Sequence, residues 1–486
     1  MPKISRRGRS GWSWILGAEF ACDLPQTRPL TEIARTATLL SMTNSRRRFL
    51  KSFTGTALAA PYLGWQTTSR GGPPSGELRF ANFGGNGRAW SDLTEMMKVP
   101  HTTLVAVAEV DSSRNNKMQE FYPEVPVYGD WRKLLDEKAD EIDAVVIGTP
   151  DHMHAPIAMS AMQLGKHVYC EKPLTRTLHE ARCLRKFAAE NNLATQMGIQ
   201  VSSSSGQQTA VRLLQEGIIG KIREVHSMNP KSWGSMDPLP APLDPVPETL
   251  NWEQWIGVGK MRDYLPREFH PSQWRKRIGF GTGTLGDMGC HIYHPWFMGL
   301  NQPETISVTS LGPGPVGADS WPLNARVHHR MKGNDQTEGD FDFTWYDGTQ
   351  LPPEQVTAAV GLIENVPPSG SVIIGTTGAL VIPHGGGGLP MIYRDGILSD
   401  ETIEMVPSDH HHGNFAAAIR GEIEAARTNF DYAGPMTETV LLGTVAMRLP
   451  GETLNWDAAA GKFTDSDSAN ALIHDEYREG WAVAGI

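Results

Sequence analysis

The run from Asp143 to Leu174, DAVVIGTPDHMHAPIAMSAMQLGKHVYCEKPL, constrains the fold of this 486-residue chain more than any other stretch. Ala144 to Ile147 is an apolar run of strand length that stops at Gly148-Thr149-Pro150. A short helical stretch follows, and a second strand, His167 to Cys170, delivers Glu171-Lys172-Pro173 at its end. Strand, helix, strand at this spacing is a βαβ unit, which requires a parallel sheet. Ligands of such sheets bind beyond the carboxyl ends of the strands, where Thr149, His154, Glu171 and Lys172 fall. A lysine fixed there by a following proline is a poor structural choice and a good catalytic one.

Upstream, Leu78 to Phe83 reads as a strand, Gly84-Gly85-Asn86-Gly87 as a turn and Ala89 to Lys98 as a helix. The order fits the dinucleotide fingerprint G-x-G-x-x-G with Asn82 in place of the first glycine. Gly84 would let the backbone approach a pyrophosphate resting on the helix N-terminus. Asparagine tolerates a left-handed backbone better than most residues, so the tight turn is expected to survive at Asn82. The next strand, Thr103 to Ala108, leads into Glu109. An acid placed about 25 residues past the glycines hydrogen-bonds an adenosine ribose and favours NAD, while Arg114 nearby keeps NADP open.

Composition is that of an ordinary soluble globular protein, 40% hydrophobic and 20% charged, and the length allows two or three domains. Residues 1–70 hold 11 Lys/Arg and 3 Asp/Glu, leaving 33 of the 44 basic and 51 of the 54 acidic residues in the remainder, net −18. A body this acidic argues against nucleic acid or an anionic membrane as partner, since both need a basic face. The basic head contains Ser45-Arg46-Arg47-Arg48-Phe49-Leu50-Lys51, a mild apolar stretch and Ala57-Leu58-Ala59. That text resembles a twin-arginine export signal with a small-residue cleavage site. The expected organisation is an upstream extension over 1–41 with the start at Met42, and a signal peptide and linker over 42–76. A dinucleotide-binding domain over 77–200 and a second domain over 201–486 follow. Cys22, Cys170, Cys183 and Cys290 form no C-x-x-C pair and are read as reduced thiols.

In the second domain a Pro-rich excursion over 229–275 carries Trp233, Trp252, Trp255 and Trp274, with Trp296 downstream. Such tryptophans either stack on a sugar face or anchor a loop that has no core of its own. Asp287 and His291, four apart on an expected helix, share one face. Residues 305–400 alternate short strands and turns and read as an antiparallel sheet. His410-His411-His412 could contact substrate, but adjacent histidines cannot all face one ion, so no metal site is expected.

The ordered set of glycine turn, Thr-Pro-Asp-His-Met-His, Glu-Lys-Pro and Gly-Asp-Met-Gly-Cys-His resembles the Gfo/Idh/MocA oxidoreductases, in their exported twin-arginine branch. The resemblance covers roughly residues 77–486. It implies an α/β fold: an N-terminal Rossmann domain and a C-terminal α/β domain with a large, mostly antiparallel open sheet that supports a homodimer or homotetramer. It implies Lys172, Asp287 and His291 as catalytic residues. The implied cofactor-binding set is Asn82, Gly84, Gly85, Asn86, Gly87, Glu109, Thr149, Pro150, His154, Glu171 and Lys172, with NAD, or NADP, as cofactor. Asn82 departs from the usual glycine, and Ile199 stands where related chains carry a polar residue.

Oxidising a secondary alcohol by hydride transfer needs a proton acceptor beside the hydroxyl. His291 could take the proton with Asp287 orienting its imidazole and Lys172 hydrogen-bonding the oxygen; Lys172 as the base is the rival. Three functions follow: an exported NAD(P)-dependent oxidoreductase with tightly held cofactor acting on a sugar, polyol or glycoside; an NAD-dependent glycosidase working through a transient 3-keto sugar; or a non-catalytic carbohydrate-binding protein.

Overall fold

The computed structural model describes residues 76–241, 244–315, 317, 319–385 and 388–486. The expected extension over 1–41, the twin-arginine segment up to residue 75 and Cys22 lie outside them.

Six parallel strands build the first sheet: β1 (Leu78–Phe83), β2 (Thr102–Ala108), β3 (Val127–Tyr128), β4 (Ala144–Ile147), β5 (His167–Glu171) and β6 (Thr195–Gly198). They lie in the order β3-β2-β1-β4-β5-β6, so the winding reverses between β1 and β4, the place where such sheets open a crevice. All four residues of β4 are buried, as a strand covered by helices on both faces must be. The first-domain helices are α1 (Gly87–Met96), α2 (Asn116–Phe121), α3 (Trp131–Lys138), α4 (His154–Gln163) and α5 (Leu178–Glu190). α1 starts two residues earlier than the sequence suggests because the Asn86 side chain accepts from the Gly87 N–H and caps it. α5 starts where Thr177 and Glu180 form a reciprocal capping box.

The second sheet has ten strands: β7 (Ile222–Asn229), β8 (Thr305–Ser310), β9 (Arg326–Met331), β10 (Thr337–Asp347), β11 (Gly370–Gly375), β12 (Ala379–Pro383), β13 (Met391–Arg394), β14 (Ile397–Leu398), β15 (Thr453–Asp457) and β16 (Lys462–Phe463). Their order is β14-β13-β12-β11-β7-β10-β9-β8-β15-β16. β7 and β10 pair in parallel, and their flanking neighbours are antiparallel. Two long helices, α6 (Ser205–Gln215) and α7 (Gly283–Gly299), pack together, and α8 (His411–Arg420) and α9 (Phe430–Arg448) follow. In α7 every residue except Met298 is buried, so its apolar residues need no single stripe. Its glycines serve close packing: a Cβ on Gly289 would lie 3.2 Å from Val440 of α9. This central helix carries Asp287 and His291.

Two alternatives left open by the sequence are decided here. Trp296 is a fully buried core residue whose indole N–H donates to Ser227, not a sugar platform, and Trp252 stacks on Trp255 with ring centres 4.8 Å apart inside a loop core. The histidine cluster does not face substrate either. His410 caps α8 through the Gly413 N–H, His411 bonds Gln196, and His412 stacks on Tyr169. His411 and His412 are buried where helix meets sheet, and His410 is exposed and pairs with Glu95 of α1.

Candidate active site

The strand ends of the first sheet, the excursion after β7 and the start of α7 enclose a cleft of about 660 Å³. At one end lies the glycine turn. Gly84 has φ +104, and a Cβ there would stand 2.7 Å from that of Ala89. A Cβ on Gly148, past β4, would meet Ala89 at the same distance. Both glycines thus let α1 press its N-terminus onto the sheet at the crevice. Gly87, with φ +57, has nothing within 4 Å of where a Cβ would be, which leaves open room over the helix start. The Thr149 hydroxyl is buried without a hydrogen-bond partner and lines the same cleft. Open backbone at a helix N-terminus and an orphaned hydroxyl suit a dinucleotide.

Asn82 plays a different part from the one expected. It lies inside β1, fully buried, and is not among the residues with positive φ. Its amide instead donates to the carbonyls of Gly84 (2.7 Å) and Ala89 (3.2 Å), tying the turn to α1 from beneath. Neither Asn82 nor Gly85 lines the cleft. The Gly85 N–H donates to Glu109, whose second oxygen accepts from Asp111 N–H, so that carboxylate is fixed at the far end. His154 lines the cleft, and its ring nitrogens face the carbonyls of Pro173 (2.8 Å) and Thr149 (2.9 Å). It straps the loops after β4 and β5 together. Asn86, Gly84, Gly87, Glu109, Thr149, Pro150, Glu171 and Lys172 all line the cleft.

At the other end, Lys172 Nζ donates to Asp287 Oδ1 (2.9 Å) and to the Asp287 carbonyl (2.7 Å). Three more donors converge on that carboxylate: Arg275 Nε at 3.1 Å on Oδ1, with Lys231 Nζ at 3.1 Å and Trp233 Nε1 at 2.9 Å on Oδ2. Burial would raise the Asp287 carboxyl, but Lys172, Arg275 and Lys231 hold it well below the usual range. Burial would lower Lys172, yet Asp287 and Glu171 outweigh it and keep the ammonium protonated. His291 is pushed well below its ordinary value by burial, by Lys172 and by His384, whose ring stacks on it at 5.6 Å.

The expected Asp287–His291 pair therefore does not form. Asp287 is spent on Lys172 and its neighbours, and His291 Nδ1 is buried without a partner. The geometry divides the roles: a charged lysine able to donate to a substrate oxygen and a neutral imidazole able to accept a proton. Sequence reasoning missed Lys231, Arg275, Arg88, Gln200 and His384, all of which line the cleft. Only the tryptophans beside Lys231 and Arg275 hinted at a built loop.

Behind Lys172 and Glu171 sits a second polar cluster. Gln200 Nε2 donates to Glu171, to Asp92 (3.3 Å) and to the Tyr169 hydroxyl (2.8 Å). Burial raises both carboxyls to about 7, opposed by Arg88.

Residues 78–199 match the GFO_IDH_MocA family model, described as an oxidoreductase family with an NAD-binding Rossmann fold. Levoglucosan dehydrogenase of Pseudarthrobacter phenanthrenivorans is 29% identical over 163 residues, 34% of this chain and 34% of its own. The scyllo-inositol 2-dehydrogenase (NADP(+)) IolW of Bacillus subtilis is 22% identical over 201 residues, 41% of this chain and 46% of its own. The chain thus spans between a third and a half of the length of these relatives. Among solved structures, an inositol dehydrogenase homolog from Azotobacter vinelandii complexed with NAD+ superposes with TM-score 0.57 at 18% identity, covering 80% of this chain and all of that one. Aldose-aldose oxidoreductase from Caulobacter crescentus superposes at 0.54 and 14% identity, covering 78% of this chain and all of that one. Residues 78–199 thus match the NAD-binding Rossmann model of that family, and the solved structures share the fold seen in the strand order and glycine turn.

Proposed function

We propose that this protein is an NAD-dependent oxidoreductase that moves a hydride between its cofactor and a CH–OH group of a sugar, polyol or glycoside. The observation that carries it is the pairing of Lys172 with Asp287 beside an unpaired, neutral His291 in the cleft that the glycine turn opens onto. Gly84, Gly87, Thr149 and Glu109 would hold NAD, which supplies the hydride-accepting ring when bound. Glu109, already ordered at the end of β2 by two backbone N–H groups, favours a ribose hydroxyl and disfavours a 2′-phosphate.

The chain's own residues do the rest. Lys172 donates a hydrogen bond to the substrate oxygen and lowers the cost of alkoxide character there. Asp287 keeps that ammonium charged and aimed. His291, neutral by burial, accepts the hydroxyl proton, and the trio reverses these roles when a ketone is reduced. The dehydrogenase names of the relatives support the redox class. The Ser-Arg-Arg-x-Phe-Leu-Lys text supports export through the twin-arginine route, and export in turn favours a cofactor held tightly enough to travel with the folded protein.

Denaturing freshly purified protein and identifying released nucleotide by mass spectrometry tests this directly. Stoichiometric NAD is the expected result. A protein that neither carries nor takes up NAD or NADP would overturn it. Lys172→Ala should abolish sugar-dependent change in nicotinamide absorbance; unchanged turnover would remove Lys172 from the mechanism.

A further inference from the structure

The substrate end of the cleft carries more positive charge than Asp287 requires. Lys172 alone balances that carboxylate, yet Lys231 and Arg275 bond it as well, and it is the only ion-pair partner of either among the described residues. The other carboxylates lining the cleft are committed elsewhere. Glu109 holds two backbone N–H groups, Glu171 takes Gln200 and the Lys172 N–H, and Asp151 accepts from Thr282. Arg88 lies across the cleft on the Asp92 and Glu171 side. Two cations are therefore left in excess, two hydrogen bonds from the ammonium that would touch the reacting oxygen.

They are also presented for binding. The Arg275 guanidinium lies over the Trp274 ring at 4.2 Å and near Trp233 at 5.6 Å, and its Nε edge is fixed on Asp287. Its Nη1 also donates to the Ser272 carbonyl at 3.4 Å, so the aromatic-stacked guanidinium is held in one orientation and its remaining N–H groups form a preoriented donor set of the kind that suits a planar carboxylate. The Lys231 side chain is 50% exposed, so it can reach solvent-borne charge without being dug out. Trp233, Trp274 and His384 line the wall around them, giving apolar faces for a sugar ring.

We infer that the substrate carries a carboxylate, as a uronic or aldonic acid does, and that Lys231 and Arg275 are the residues that select it. This rests on the oxidoreductase function proposed above and narrows its substrate class. The two cations bind the acid group while Lys172 and His291 work on a hydroxyl of the same molecule. A neutral sugar would leave both without their ligand, which sets the preference.

The test is a titration of the NAD-loaded full chain, followed by tryptophan fluorescence, with matched acid and neutral pairs: glucuronate and glucose, galacturonate and galactose. Each acid should bind about tenfold more tightly or better, since a charge-assisted hydrogen bond is roughly twice as strong as a neutral one. Lys231→Met and Arg275→Met should bring that ratio close to one, and Lys231→Arg should restore it. A merely structural role through Asp287 would weaken both members of a pair alike and leave the ratio untouched. A wild-type ratio of one or below, a ratio that survives both Met variants, or no saturable binding of either acid would overturn the inference. Nicotinamide absorbance in the same samples separates the two claims. Oxidation of neutral sugars with acids ignored sinks the acid selectivity alone; tight acid binding with no redox change sinks the oxidoreductase function and leaves the selectivity standing.

Discussion

Replacing Asp287 by asparagine keeps the shape of the side chain and removes the charge on which Lys172, Lys231 and Arg275 converge. The three cations are not equally affected. Lys231 is half-exposed and Arg275 lies on Trp274, so both can shed charge strain to solvent or to the ring. Lys172 cannot: its side chain is 11% exposed and that of Asp287 8%. Removing one partner of a buried pair typically costs about 3–5 kcal/mol because the other charge stays buried, whereas an exposed pair is worth at most about 1 kcal/mol. Asp287→Asn should therefore lower the free energy of unfolding in urea by about 3 kcal/mol, seen as a shift in midpoint at constant slope. Adding Lys172→Met should recover most of that loss, because no buried charge then lacks a partner. The pH dependence fixes the sign. The folded-state carboxyl is held below its ordinary value of 3.8, so its contribution is present above that pH and disappears as pH falls through the depressed value. The gap between wild type and Asp287→Asn should close on acidification. A single-variant cost under about 1 kcal/mol, or a double variant no better than the single, would refute the buried-pair account.

Further outcomes follow from other parts of the cleft. Gly148→Ala places a Cβ 2.7 Å from the Ala89 backbone and should cost about 1–3 kcal/mol in thermal or urea unfolding; NAD should restore less stability to it than to the wild type. Asp92 and Glu171 both sit near pH 7 in the folded state against 3.8 and 4.5 ordinarily. The stability their protonated forms give is complete below about pH 4 and is lost as pH rises through 7, so Glu171→Gln should flatten the fall in urea midpoint between pH 5 and 8. Lys172→Met should reduce turnover by about 10²–10⁴-fold while NAD affinity, measured by calorimetry, stays within a few-fold.

The first domain was largely legible because its signals are local. An apolar run ending in Gly148-Thr149-Pro150 and another ending in Glu171-Lys172-Pro173 announce parallel strands and what their ends carry. The second domain was legible in class only, since short alternating strands do not state their order, and nothing local reveals that β7 pairs with β10 more than a hundred residues later. Asn82 was misjudged because a glycine pattern speaks of backbone angles; its side-chain bonds to Gly84 and Ala89 depend on a helix already packed. The Asp287–His291 spacing was read correctly as one helix face, but which neighbour Asp287 bonds depends on charges brought from elsewhere. Lys231 and Arg275 lie in an excursion without periodicity, so only the assembled fold could place them.

The bond from Lys172 to Asp287 joins residues 115 apart in the chain, and it has a consequence for biogenesis. During synthesis the strand bearing Lys172 is complete long before α7 exists, so the lysine must wait in water until the second domain docks and brings its counter-charge. Chains cut short before α7 would hold a cation with no resting place in the interior, and quality control would meet them as unfinished. The interaction proposed to make the protein an enzyme thus also marks the moment at which its interior is complete.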